Sequence, residues 1–207
     1  MSGWTTFADL EPGLAGPYGQ TLPKMRQQVA QCVLDPFGRV LDTVERVVCA
    51  SGETRPSRAR LAEILFCWQA TFMGYVEDPT DMEMCRHPFV ILRDIQDKSK
   101  GRGFGDCNNS ATLMAALGHV VRLPIVWILC APERNPIDQR HIFAAMLRDD
   151  AGSEDDFMTN DGLDVDDFLA LDTGNRNPIF GQFTELREGG VAIPTAYTSV
   201  PAYGGAM

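Results

Sequence analysis

The stretch GFGDCNNSA, residues 103–111, carries the strongest structural signal in the chain, because it joins a glycine-rich approach to an apolar segment beginning at Cys107. Residues 107–117 are apolar on almost every side, which is typical of a helix buried in the middle of a domain. Gly118 follows and is expected to end this helix. At the first turn of a helix, the unpaired amides and the helix dipole favour an anion. The sequence therefore predicts that Cys107 can act as a nucleophilic thiolate.

Three apolar segments that follow this helix, residues 120–131, 140–147 and 168–172, are predicted to be buried strands. Their order predicts an antiparallel meander packed on the helix, and so a fold of the α+β class. His141 lies at the head of the second segment, and Asp172 lies at the end of the third. In this order, cysteine, histidine and aspartate can serve as a nucleophile, its base and the group that orients the base.

Helices are also predicted in the first third of the chain. Apolar residues at helical spacing indicate two short helices within residues 23–49, interrupted at residues 35–36, and a stronger helix over residues 57–74. Residues 75–106 contain two X-Pro steps and three alternating glycines. We therefore expect them to form a long ordered loop with little regular structure.

The length and composition favour a single domain with terminal extensions. The chain has 207 residues, of which 44% are hydrophobic, enough to bury one sizeable core. Residues 1–23 hold three prolines and four glycines, which predicts an extended N-terminal arm. We expect the domain itself to span residues 24–180, followed by a C-terminal extension over residues 181–207.

Charge and hydropathy argue against several classes of function. The net charge is −10 and basic residues are not clustered, so no nucleic-acid partner is expected. The longest clean apolar run, residues 123–131, is far shorter than the roughly 20 residues that a membrane span needs. The N-terminus lacks the basic, apolar and small-residue order of a signal peptide, so export by the general route is not expected.

No metal or cofactor site is predicted. None of the six cysteines forms a CxxC pair, and we expect mainly buried free thiols in a reducing compartment. Residues 149–167 hold nine acids and no base, but position 157 is Phe where a calcium loop would need its first ligand, so a solvated loop is expected. The glycines of residues 101–105 lack the lysine of a phosphate-binding loop and predict a flexible approach to Cys107.

Several motifs together resemble a known family. The run GDC at residues 105–107, HIF at 141–143 and LALD at 169–172 resemble the transglutaminase-like superfamily, a branch of the papain-like cysteine enzymes. Residues 75–79 (YVEDP), with Glu83, Pro88, the run GQT at 19–21 and Met25, resemble the bacteriophage and prophage variants of that family. The resemblance covers roughly residues 19–172, and it rests on the order and spacing of the motifs.

The resemblance implies a papain/transglutaminase-like fold, with N-terminal helices and a central cysteine-bearing helix packed on an antiparallel sheet. It implies that Cys107 is the nucleophile, His141 its base and later acid, and Asp172 the group that orients the imidazole. The substrate would be a protein or peptide, whose amide is hydrolysed or transferred. The backbone amide of Cys107 would donate to the oxyanion. On spacing alone, Trp68 or Gln96 would supply the second donor.

Two features depart from the family pattern. Asn108 and Asn109 follow the cysteine, where the phage forms usually have two acids. His141 and Asp172 are 31 residues apart, an unusually long interval, so Asp164 and Asp166 compete with Asp172 as the third member.

An alternative reading makes the site structural. Cys107 would be an inert thiol, His141 a core residue and Asp172 a turn former. The chain would then be a catalytically silent fold in a virion or another assembly, with both terminal extensions contacting other virion proteins. In either reading, we expect the protein in the host cytoplasm or the virion.

Overall fold

The computed structural model describes residues 17–78, 84–130, 141–148, 167–174, 178–182 and 191–194. Helices and strands are both present in this part of the chain, so the predicted α+β class is confirmed. The helices are α1 (Pro17–Val33), α2 (Arg39–Ser51), α3 (Arg58–Phe72), α4 (Pro88–Gln96) and α5 (Cys107–His119). The strands are β1 (Met73–Tyr75), β2 (Gly103–Gly105), β3 (Ile125–Cys130), β4 (His141–Leu147), β5 (Phe168–Leu171) and β6 (Val191–Pro194).

The larger sheet has four antiparallel strands in the order β5-β4-β3-β6. Consecutive strands β3, β4 and β5 are neighbours, as the predicted meander requires. In the register of the sheet, Ala144 of β4 lies between Trp127 of β3 and Leu171 of β5. The two short strands β1 and β2 pair in parallel in a separate sheet, with Tyr75 opposite Gly105.

Helix α5 lies at the centre of the molecule. Every residue from Asn108 to Gly118 is buried, and the helix contacts α1 as well as β3 and β4 of the sheet. The indole Nε1 of Trp127 donates a 3.0 Å hydrogen bond to the carbonyl oxygen of Ala111, which ties β3 to the first turns of the helix. Full burial of an apolar side chain such as Leu113 stabilises the fold by about 1.5–3 kcal/mol. The predicted buried helix is therefore present, and it extends two residues further than expected.

The predicted terminal extensions differ from the structure in two places. Helix α1 begins at Pro17, so the last part of the predicted arm is helical although Pro23 lies inside the helix. A proline there removes one backbone hydrogen bond and crowds a carbonyl of the preceding turn, but Leu22, Met25 and Val29 are almost fully buried along one face, which offsets this cost. Within the predicted C-terminal extension, β6 pairs with the outer edge of β3. Residues 1–16 lie outside the described part of the chain.

The prediction of little regular structure over residues 75–106 is wrong, because α4 lies within this range. His87 caps the helix: its ring Nδ1 accepts a 3.2 Å hydrogen bond from the amide of Phe89. Pro88 follows at the first helical position, where its missing N–H costs nothing. The His-Pro step, interpreted as a loop signal, is thus the start of a helix.

The first strand after α5 also starts later than predicted. Residues 120–124 form a turn, and β3 begins only at Ile125. This tight return brings the end of α5 against the strand, since a Cβ on Gly118 would overlap Cγ1 of Ile125. None of the described helices is long and apolar enough to cross a membrane.

The close contact at Gly118 gives the first prediction. Replacing glycine with alanine within a helix normally adds about 1 kcal/mol of stability. For Gly118→Ala we expect the opposite, a loss of about 1–3 kcal/mol in the free energy of unfolding, because the new methyl group overlaps Ile125. Urea denaturation measures this loss. In the Ile125→Ala background the overlap is relieved and the loss should shrink, so strictly additive effects would contradict the packing argument.

Candidate active site

Cys107 is the first residue of α5, and the residue before it caps the helix. The carboxylate of Asp106 accepts a 3.1 Å hydrogen bond from the amide of Asn109, which fixes the start of the helix. Cys107 is half-buried rather than fully enclosed. The nucleophile predicted from the sequence therefore lies at a capped helix N-terminus and remains partly open to solvent.

His141 and Asp172 meet at one end of the sheet. His141 is the first residue of β4 and Asp172 directly follows β5, and the antiparallel pairing of these strands brings the two positions together. The imidazole Nε2 lies 2.8 Å from Oδ2 of Asp172. The other carboxylate oxygen accepts a 3.2 Å hydrogen bond from the amide of Gly174. Asp172 is 6% exposed, so both of its oxygens are held in a nearly dry setting.

The imidazole of His141 interacts with Cys107 as well as with Asp172. Burial by itself lowers the pKa of His141, but hydrogen bonds to Asp172 and Cys107, and the negative charge on both, raise it well above its ordinary value of 6.5. Because Nε2 is bound to Asp172, Nδ1 is the ring nitrogen that remains for the thiol. The three residues predicted from the sequence thus form one connected chain of hydrogen bonds.

Gln69 holds the turn after β5 against the cysteine helix. Its Nε2 donates to the carbonyl oxygen of Ser110 in α5 at 2.9 Å and to Oγ1 of Thr173 at 2.6 Å. The backbone beyond the turn also lies close to Cys107, since a Cβ on Gly174 would lie 3.2 Å from Cα of Cys107. The position of Asp172 relative to Cys107 therefore depends on Gln69 and on the small size of Gly174.

Sequence reasoning missed Gln69, although a signal was present. Gln69 lies on the face of α3 that also carries Ala62, Leu65 and Phe66, all of them buried. An amide on the apolar face of a helix is expected to bind a specific partner, because burying it without one is costly.

The asparagines after Cys107 take part in the capping network. The side-chain amide of Asn109 donates to Asp106 and, at 2.8 Å, to the carbonyl oxygen of Met84, while its oxygen accepts from the amide of Arg86. Asn108 also donates to Asp106, at 2.9 Å. A carboxylate at position 109 could not donate these bonds and would face the charge of Asp106. The asparagine at position 109 therefore fits its hydrogen-bond partners better than an acid would.

The glycine-rich approach to Cys107 is bonded to neighbouring elements at β2. The guanidinium of Arg86 donates to the carbonyl oxygen of Phe104 and, at 2.6 Å, to Asp94. Lys100 donates to the other oxygen of Asp94 at 2.7 Å. The bond from Lys100, followed by that from Arg86, lowers the pKa of the buried Asp94 carboxyl against the effect of burial. The salt-bridged group fixes β2 and the start of α5.

The two candidates for a second oxyanion donor have other surroundings. Trp68 lies against Phe72, with ring centroids 5.8 Å apart. Gln96 lines a surface groove between α2 and α4. Neither of these contacts involves Cys107, and the assignment of either side chain as an oxyanion donor stays a prediction.

Of the remaining histidines, His87 has a structural role. His87 caps α4, and its Nε2 lies 2.9 Å from Oε1 of Gln31. Burial lowers the pKa of His87, and it lowers that of His119, at the end of α5, to about 4. Both are therefore neutral near pH 7, unlike His141.

Two further predictions concern the burial of the cysteines and the acidic residues that compete with Asp172. Cys32 and Cys85 are buried, but Cys49 and Cys67 are exposed. The prediction of mainly buried cysteines is therefore wrong. Helical spacing alone did not settle which face of α2 and α3 they occupy. Asp164 and Asp166, the competitors of Asp172, lie outside the described residues, as does most of the acidic segment.

Comparisons with protein-family models, with curated proteins and with solved structures found no match. The site is therefore characterised by its own geometry. A thiol, an imidazole and a buried carboxylate stand in hydrogen-bonding order at a helix N-terminus. This arrangement can generate a thiolate and pass a proton to a leaving group.

The contact between Cys107 and His141 predicts how the thiol reacts. A protonated imidazole beside a thiol favours the thiolate. Below pH 7 we expect iodoacetamide to label Cys107 roughly tenfold faster or more than the exposed Cys49 in the same chain, as quantified by mass spectrometry. In His141→Ala this advantage should disappear while labelling of Cys49 is unchanged. Identical pH profiles for the two thiols in the native chain would contradict the prediction.

The raised pKa of His141 also predicts a pH dependence of stability. The unfolded histidine titrates near pH 6.5 and the folded one above it, so its contribution is complete below about pH 6.5 and is lost as the pH rises. Cys107→Ala removes the titration of the thiol itself and leaves the hydrogen bond to Asp172, the largest of the causes that raise the pKa of His141. In that variant, the free energy of unfolding in urea should fall from pH 6.5 to 8.5. Adding Asp172→Asn should flatten this fall, and an unchanged slope would contradict the assignment.

Proposed function

We propose that this chain is a cysteine-dependent enzyme that hydrolyses or transfers peptide or isopeptide amides through Cys107, His141 and Asp172. The observation that carries the proposal is the continuous chain of hydrogen bonds from the thiol through the imidazole to the buried carboxylate. A histidine that served only the core would not need a negative partner on each side of its ring.

The reaction follows from this order of groups. The sulfur of Cys107 attacks the carbonyl carbon of the amide and forms a carbon–sulfur bond, and the oxygen becomes an oxyanion. The carbon–nitrogen bond then breaks as His141 gives its proton to the leaving amine, which leaves a thioester on Cys107. His141 next takes a proton from water or from a second amine, which attacks the thioester and restores the thiol. Asp172 keeps the imidazole oriented throughout.

The motif resemblance supports the same reaction class. We place the chain with the transglutaminase-like superfamily and, within it, near the bacteriophage and prophage variants, on the motifs around Cys107, His141 and Asp172 and on residues 75–79. A papain-like arrangement is in keeping with α5 packing on the antiparallel sheet. On this proposal, the protein acts in the host cytoplasm or the virion on a protein or peptide substrate.

A pooled-substrate assay tests the proposal. The full chain is incubated with a peptide pool containing glutamine side-chain amides and lysine isopeptides, with and without a primary amine, and products are identified by mass. We expect turnover that falls to background in Cys107→Ala and by roughly 10²–10⁴-fold in Asp172→Asn. Products that incorporate the amine would indicate transfer, and products of water addition would indicate hydrolysis.

Cys49→Ala is the matched control, since it removes an exposed thiol elsewhere on the molecule and should leave turnover unchanged. If the native chain turns over no peptide beyond the Cys107→Ala background, and Cys107 reacts no faster than Cys49, the enzyme proposal is wrong. The catalytically silent, structural reading would then stand.

A further inference from the structure

We propose that the hydroxyl group of Tyr75 is the second oxyanion donor and hydrogen-bonds the carbonyl oxygen of the substrate while Cys107 attacks it. This inference rests on the proposed cysteine chemistry and adds a catalytic residue to it. Its partner would be the backbone amide of Cys107 at the start of α5.

The pairing of β1 with β2 brings Tyr75 to the nucleophile. Tyr75 lies opposite Gly105, the last residue of β2. Cys107, the first residue of α5, follows two positions later. The amide of Val76 continues the pairing with a 3.0 Å hydrogen bond to the carbonyl oxygen of Gly105. The end of β1 is therefore held beside the first turn of α5.

The side of β1 that carries Tyr75 is the side that faces α5. Side chains two residues apart on a strand point the same way, so Tyr75 shares its side with Met73. The sulfur of Met73 lies 3.5 Å from Oγ of Ser110 in α5. Tyr75 lies about 6.6 Å further along the strand, towards the N-terminal end of the helix where Cys107 lies.

The charges around Tyr75 agree with this placement. Burial raises the pKa of Tyr75, and the negative charge of Cys107 is the next cause, followed by Glu77, Asp106 and Asp78; together they raise it to about 12. The phenol therefore keeps its proton at neutral pH and can donate. Within the described residues, no protein group is hydrogen-bonded to this hydroxyl, and the residue is 45% exposed. The donor is thus available to a bound substrate.

Other roles account less well for Tyr75. An exposed tyrosine at the end of a three-residue strand adds little to the core. Phe104, which pairs with Gly74, points to the opposite side of the small sheet, where its ring covers Gly74. In an attack on an amide or ester, charge develops on the carbonyl oxygen only after the carbon–sulfur bond begins to form. A neutral phenol beside an anionic thiolate is suited to stabilise that charge.

The test compares two reactions of the same thiol. Acylation by p-nitrophenyl acetate forms an oxyanion before p-nitrophenolate leaves, whereas alkylation by iodoacetamide displaces iodide and forms none. In Tyr75→Phe, we expect the second-order rate constant for acylation of Cys107 to fall on the order of 10²-fold. The rate constant for alkylation should stay within about twofold of the native value, because attack on iodoacetamide needs no oxyanion donor.

Phe104→Leu is the matched control, since it alters an exposed aromatic ring on the opposite side of the same small sheet and should leave both rate constants unchanged. If Tyr75→Phe leaves acylation unchanged, or slows both reactions equally, Tyr75 is not an oxyanion donor. If Cys107 of the native chain reacts with neither reagent faster than Cys49, the underlying cysteine chemistry is wrong as well.

Discussion

The site depends on how the backbone amides at the N-terminus of a buried helix find hydrogen-bond acceptors. Helix α5 is enclosed on all sides from Asn108 to Gly118, so the amides of its first turn cannot rely on bulk water. Asp106 supplies the acceptor, and the side chains of Asn108 and Asn109 hold its carboxylate in place. A cap fixed in this way leaves Cys107 at the one end of the helix where a sulfur anion is favoured.

The rest of the site is brought to this helix by contacts that join distant parts of the chain. Strand β5 places Asp172 beside His141, and Gln69 ties the following turn to α5. On the other side, Arg86 and Asp94 hold β2, and β2 in turn holds β1 with Tyr75. Cys107 is thus held by hydrogen-bonded elements on both sides, as the proposed preorganised site requires.

Local patterns predicted much of this structure. The apolar run after Cys107 identified the buried helix, and Ser57 marked the start of α3, where its hydroxyl accepts from the amide of Arg60. Contacts between residues far apart in the sequence could not be predicted from local patterns. Gln69 belongs to the site through a partner 104 residues away, and the choice of Asp172 depends on the register of β5 against β4. Helix α4 was missed because a proline both breaks helices and begins them.

The long-range contact made by Gln69 has a consequence for the timing of synthesis. Thr173 is made long after Cys107, and a ribosome adds about 5–20 residues per second. For several seconds, a growing chain carries the cysteine helix without the residues that orient His141. During this interval the thiol lacks its complete relay and is expected to behave as an ordinary one. On the proposed function, the order of the residues along the chain thus delays reactivity until nearly the whole domain has been synthesised.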